Sequence, residues 1–263
     1  MEQVVKVSGL TSLYSSQPKQ ALLRCEKHGE YLGWETIIEG ELYPSQCPEC
    51  DKEESLRISL ELADFRAAAR EKEKNRTALT AAGIPPRFQR MSFKEFQPTC
   101  DKAAKVRDRI GNFILNFKDS KENGTSFLFS GNTGAGKTHL ACAAANNLIR
   151  MGYSAIYVSS LNYITRVKAA WNPAAGLSES DILEEHAKPD LLILDEIGKG
   201  EMNAKERGMI FQIIDRRYEE CKPTIGISIF SPEKLSQLIN EDAVRRLKAG
   251  GGGILLFDWP AYE

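Results

Sequence analysis

Two sets of residues in this 263-residue chain have the types and spacing to do chemistry. The first is Gly131-Asn132-Thr133-Gly134-Ala135-Gly136-Lys137-Thr138, which fits the pattern G-x-x-x-x-G-K-[ST]. Glycines at those places let backbone N–H groups turn inward around phosphate oxygens, and a helix starting at the lysine adds its partial positive charge. Lys137 would neutralise the β- and γ-phosphates, and Thr138 would hold Mg²⁺. A magnesium-bound triphosphate also needs a carboxylate opposite the loop. Leu191-Leu192-Ile193-Leu194-Asp195-Glu196 supplies two at the end of an apolar run. Asp195 would share the metal with Thr138, and Glu196 would orient and activate the attacking water, a pairing that favours hydrolysis over phosphotransfer. His139 is grouped with the nucleotide-contacting residues, although packing in the first helical turn accounts for it as well.

The second set is Cys25-x-x-His28 and Cys47-x-x-Cys50, with 18 residues between His28 and Cys47. That gap falls in the range of paired-knuckle zinc sites, with one His in place of a Cys. Four protein ligands make such a site structural, not catalytic. About thirty residues can hardly support themselves on Tyr31, Trp34, Ile37 and Tyr43 alone, so a metal staple is physically useful. Cys100, Cys142 and Cys221 are scattered through ordinary segments and read as reduced thiols.

These residues need elements to position them. Residues 1–20 read as a loose terminus, and 21–52 as the zinc-binding module, a β-hairpin of Tyr31–Ile38 and Glu41–Tyr43 turning at Glu39-Gly40. Residues 53–82 form a helical connector: 51–80 hold seven charges of each sign, and Leu56, Leu60, Ala63 and Ala67 lie on one helical face before Gly83 and Pro85-Pro86. The remainder, 83–263, alternates apolar runs with helical ones. Strands are expected at 127–129, 155–158, 191–194, 224–229 and 254–257. Helices are expected at 137–150, from Asn162, at 204–220 and over 232–248. Asn203 and Glu206 are spaced for an N-terminal capping box. Such alternation predicts an α/β fold with a parallel sheet covered on both faces. Six residues follow the last strand, so no C-terminal lid domain is expected, and the nucleotide is expected to be closed over by a neighbouring copy, coupling self-association to its binding.

Composition closes off other classes. The chain is 42% hydrophobic and 27% charged, an ordinary globular balance that argues against a filament. Its 35 basic and 36 acidic side chains leave −1, so no global field draws it to nucleic acid. No stretch approaches the ~20 apolar residues of a membrane helix, and the N-terminus lacks a signal-peptide pattern, so a cytoplasmic location is expected.

Further segments carry a resemblance. Gly83-Ile84-Pro85-Pro86-Arg87-Phe88, Ser92-Phe93-Lys94-Glu95-Phe96, His139-Leu140-Ala141, Asp195-Glu196-Ile197-Gly198, Asp215-Arg216-Arg217-Tyr218, Lys222-Pro223-Thr224 and Phe257-Asp258-Trp259 resemble DnaC-type helicase loaders of bacteria and phages. These are AAA+ ATPases related to transposase-helper ATPases. The resemblance, over about residues 83–262, implies a three-layer AAA+ core. It further implies an ATPase that binds the hexameric replicative helicase through its N-terminal region and helps place it on single-stranded DNA. The alternatives are a transposition helper, or a weakly hydrolysing helicase adaptor or inhibitor. Two departures motivate the last: Ser228-Ile229 stands where the family has a sensor Asn, and Asp242 falls in the arginine-finger slot, leaving Arg245 one turn away and Arg246 on the family's second arginine. The resemblance also places Tyr163, Arg166 and Lys168 along a DNA-lining groove, where basic residues beside an aromatic suit a single strand.

Overall fold

A computed structural model describes residues 17–38, 41–172, 174 and 176–261. It divides into two compact units between Lys72 and Glu73.

The first unit contains a three-stranded antiparallel sheet of β1 (Lys19–Cys25), β2 (Gly29–Ile38) and β3 (Glu41–Pro44), in that order. β2 and β3 match the expected hairpin; its turn, Glu39-Gly40, lies outside the described residues, as do residues 1–16. β1 was not expected and begins within the segment read as a loose terminus. It pairs along its full length with β2, with Leu22 opposite Leu32 and Leu23 opposite Tyr31. After β3 the chain folds back across β2. Ser45 N–H donates to the Trp34 carbonyl at 2.6 Å, Trp34 N–H donates to the Ser45 hydroxyl at 2.8 Å, and the Tyr31 hydroxyl donates to the Ser45 carbonyl. A side chain at Gly33 would stand 2.5 Å from Ser45 Oγ, so this crossing requires glycine. Helix α1 (Pro48–Ala81) then starts with Pro in its first turn, where no N–H is needed, and with Glu49 and Asp51 at the positive end of its dipole.

The second unit carries the parallel sheet. Its strands are β4 (Phe127–Gly131), β5 (Ala155–Ser159), β6 (Leu191–Asp195), β7 (Thr224–Ser228) and β8 (Gly253–Phe257), in the order β5-β6-β7-β4-β8. All five expected strands are present. α2 (Asp101–Leu115), α3 (Phe117–Glu122) and α4 (Lys137–Arg150) lie on the side of Phe127, Phe129, Leu191, Ile193 and Ile225. α5 (Ser160–Ala169), α6 (Glu179–Ala187), α7 (Ala204–Glu219), α8 (Pro232–Ile239) and α9 (Glu241–Arg246) cover the other face, over Leu128, Leu192 and Leu194. The result is the expected three-layer α/β core. The Asn203–Glu206 capping box forms in both directions.

Arg217 on α7 is fully buried. It donates to the carbonyls of His186, Ala187, Pro189, Asp190 and Pro223 and to the Thr224 hydroxyl, joining the entrances of β6 and β7. Arg217→Ala strands those carbonyls and should lower the unfolding free energy by about 3 kcal/mol or more. The exposed neighbour change Arg216→Ala should cost less than about 1 kcal/mol. Urea midpoints of the two variants check this difference.

Candidate nucleotide site and metal centre

The glycine-rich turn leaves β4 and enters α4. Gly131 has φ +134°, and a Cβ there would lie 2.4 Å from the Phe257 carbonyl, so the loop can rest on β8 only without a side chain. Asn132 N–H donates to that carbonyl at 2.8 Å. Asn132 Nδ2 donates to the Trp259 carbonyl and Trp259 Nε1 to the Ala135 carbonyl, both at 3.1 Å. Lys137 Nζ donates to the carbonyls of Gly131 and Asn132 at 2.7 and 2.6 Å, which holds its ammonium inside the curl of the loop. Burial pulls its pKa below the usual lysine range, and the Asp195 carboxylate opposes that shift.

β6 ends opposite, beyond the tip of β7. Asp195 is buried and accepts from the Thr138 hydroxyl at 2.9 Å, the Tyr157 hydroxyl at 2.9 Å and Glu196 N–H at 2.7 Å. Two oxygens at adjacent corners of an octahedron with ~2.1 Å bonds stand ~3.0 Å apart, so Thr138 Oγ1 and Asp195 Oδ2 are spaced to share a magnesium ion. Burial and then the Asp195 charge raise the Tyr157 pKa, keeping it a neutral donor to that carboxylate. Glu196 has φ +56°, an unusual backbone for a non-glycine, and its carboxylate pairs with Lys199.

A cavity of about 960 Å³ joins Lys137, Thr138, Asp195 and Glu196. Ser228 and Ile229 also line it, so the position where the family has an Asn does face this space. Its other wall comes from Arg87, Phe88, Met91, Glu95, Phe96 and Gln97, none of which belongs to the phosphate-loop or acidic motif. Arg87, Phe88, Glu95 and Phe96 belong to the segments that carry the family resemblance, and Met91 and Gln97 lie directly beside them. α4 holds that wall: Asn146 Nδ2 donates to the carbonyls of Phe88, Gln89 and Met91, at 2.9 to 3.3 Å. His139 Nε2 lies 3.2 Å from the Ser92 carbonyl and packs edge-on against Phe96, so it too braces this wall. Lys199 is a further lining residue that no pattern had picked out.

Other expected residues are placed differently. Arg246 ion-pairs with Asp215, between the rings of Phe211 and Tyr218. Arg245 is exposed and pairs with Asp242 at 2.9 Å. Neither lines the cavity of its own chain. Within the expected DNA-lining patch, Tyr163 requires correction. Tyr163 is 1% exposed and stacks edge-on against buried His186, because its ring completes the core beneath α5; it offers no face to a base. Arg166 is held bidentate by Glu185 and Lys168 is paired with Glu206, both cations lying at the protein surface.

In the first unit, Cys25, His28, Cys47 and Cys50 bring one donor atom each within 4.8 Å of all the others. His28 Nδ1 lies 3.8, 3.7 and 3.3 Å from the sulfurs of Cys25, Cys47 and Cys50, and Cys25 Sγ is 3.5 Å from Cys50 Sγ. A tetrahedron with ~2.3 Å Zn–S and ~2.0 Å Zn–N bonds has edges of ~3.5–3.8 Å, so the donor set fits zinc. Glu53 meets His28 Nε2 at 3.3 Å and thereby turns Nδ1 toward the sulfurs. The backbone N–H groups of His28 and Lys27 stabilise the Cys25 thiolate and bring its pKa down to about 6. The other cysteines, Cys100, Cys142 and Cys221, are free.

Comparison with known proteins follows the same lines. The model of the "IstB-like ATP binding protein" family matches residues 48–244. Over 215 residues the chain is 30% identical to the replicative helicase loader DnaC of Escherichia coli strain K12, covering 80% of this chain and 86% of that protein. The chain belongs to the IstB/DnaC family of ATP-binding AAA+ proteins. DnaC of Buchnera aphidicola from Acyrthosiphon pisum is likewise 30% identical, over 72% of this chain and 76% of its own. Among solved structures, that of the DnaC helicase loader shares the fold, with a TM-score of 0.58 and 22% identity, covering 65% of this chain and 99% of that one. The replication initiator DnaA bound to AMPPCP and single-stranded DNA has a TM-score of 0.57 at 20% identity, covering 67% and 51%. The family's matched span contains the loop, Asp195 and the Asn146 brace, and excludes Cys25 and His28.

Two outcomes are expected. Asn146→Ala should weaken ATP binding roughly tenfold, the worth of one or two lost hydrogen bonds, and leave inorganic tripolyphosphate binding unchanged; calorimetric titration of both ligands checks it. Chelation should remove one equivalent of zinc and abolish tertiary near-ultraviolet signal from Tyr31 and Trp34 while ATP affinity stays unaltered.

Proposed function

We propose that this protein is a cytoplasmic, ATP-dependent loader of the replicative DNA helicase. The observation that carries the proposal is the meeting of Thr138 with Asp195 across the tip of β7, beside Lys137 and the phosphate-binding turn. The loop amides and Lys137 grip the phosphates, and Thr138 and Asp195 would hold Mg²⁺, which neutralises phosphate charge. Glu196, at the mouth of the cavity, orients a water for attack on the γ-phosphate. Tyr157 aims Asp195 by donating to it. Relatives aligned over four-fifths of the chain are helicase loaders, which favours loading over service to a transposase.

The finer assignments belong to the same reading. The N-terminal unit, with its zinc-fitting cluster, contacts the hexameric helicase, and the ATPase unit self-associates around nucleotide. Arg245 serves a neighbouring copy's phosphates once it leaves Asp242. With Ile229 in the sensor position and Arg245 so paired, turnover by the isolated chain is slow. Single-stranded DNA receives the helicase through surfaces other than that of Tyr163.

The test is a loading assay with helicase, single-stranded DNA and ATP, run beside a turnover measurement. Lys137→Ala should bind ATP at least ~100-fold more weakly and abolish loading, with secondary structure retained. Wild-type turnover should rise on adding helicase and DNA. Full loading by the Lys137→Ala protein, or wild-type protein that binds ATP yet forms no complex with helicase, overturns the proposal.

A further inference from the structure

Helix α1 is 34 residues long and buries one of them, Leu79. Leu56, Ile58, Leu60, Leu62 and Phe65 are all exposed, Phe65 by 73%. Apolar side chains massed on an otherwise polar helix mark a contact surface. Spacing selects one seam. Ile58, Leu62, Phe65 and Ala69 follow at steps of four, three and four, the interval of a two-stranded coil. Outward from them the same interval reaches Ser55 and Asp51 on one side, Lys72 and Arg76 on the other.

Charge is divided along the same helix. Residues 48–65 hold six acids and two bases, whereas 66–81 hold five bases and two acids. We propose that this seam docks a second copy of α1 running antiparallel. Centred between Ala63 and Asp64, the copy sets Leu62 against Phe65, Ile58 against Ala69 and Asp51 against Arg76, and the flanking Lys52 faces Glu73. Two-fold symmetry makes each contact occur twice, and each of these charged pairs is opposite in sign. A parallel copy would oppose Asp51 to Asp51, Lys72 to Lys72 and Arg76 to Arg76. A helix from an unrelated protein needs only its own complement; nothing would then make the charges of α1 reverse sign about the middle of its apolar residues. Lys52 and Arg76 currently pair within the helix, with Glu49 and Glu73, in exposed bridges that are cheap to exchange. This association needs no nucleotide and does not rest on the proposed ATPase cycle.

Sedimentation equilibrium of the full chain without nucleotide provides the test. The weight-average mass should climb from 29.3 kDa toward twice that value as concentration rises. Phe65→Glu should hold it at the monomer value, with ATP binding and circular dichroism unchanged because the ring is exposed. Asp51→Lys should weaken association roughly tenfold, and Asp51→Lys combined with Arg76→Asp should restore it. Lys137→Ala should self-associate as the parent does, which separates this result from failure of the nucleotide site. A monomer at every concentration, a dimer indifferent to Phe65→Glu, or a charge swap that restores nothing overturns the proposal. Loss of helicase binding in Phe65→Glu with the parent monomeric throughout would also overturn it, by giving the seam to the helicase.

Discussion

A carboxylate buried in a protein interior must find donors, and Asp195 finds them on three separate pieces of chain: the Thr138 hydroxyl from α4, the Tyr157 hydroxyl from β5 and the N–H of Glu196 beside it. That requirement fixes where the phosphate-binding helix begins relative to the sheet. β6 and β4 flank β7, so the acidic tip and the glycine turn lie one strand apart, with Ser228 and Ile229 between them. Asp195, with its need for partners, is thus an architectural element as well as a chemical one.

Much of the second unit could be read from residue order. Strands such as Leu191–Asp195 are buried on both faces and therefore appear as unbroken apolar runs, and the capping residues Asn203 and Glu206 announce α7 locally. The loop and its facing carboxylates depend on short motifs, and these were also legible. What escaped notice depends on long-range pairing. β1 is short, its alternation is interrupted by Leu22, and it is a strand because β2 accepts it. No short motif marks α2 or α3, though Val106, Ile110 and Phe113 are buried at helical spacing.

The same distinction applies within the sites. The four zinc-fitting residues were apparent from their two-residue gaps, but Glu53, which orients His28, lies on α1 and carries no local mark. Tyr163 misled because an aromatic beside Arg166 and Lys168 has the composition of a nucleic-acid surface. Only the fold discloses that the ring points inward and that Glu185 and Glu206 pair with the cations. Composition counts side chains without assigning them directions.

The run Ala141-Cys142-Ala143-Ala144-Ala145 is wholly buried, its small side chains allowing α4 to lie close to its neighbours. At one end of that helix stand Lys137 and Thr138; further along, Asn146 gathers three carbonyls of the opposite wall. Both jaws of the nucleotide cleft are therefore mounted on a single bar, and their separation is set by its pitch. Any force that tilts this bar, whether from a docked protein or a neighbouring subunit, would loosen both walls around a bound nucleotide in one stroke.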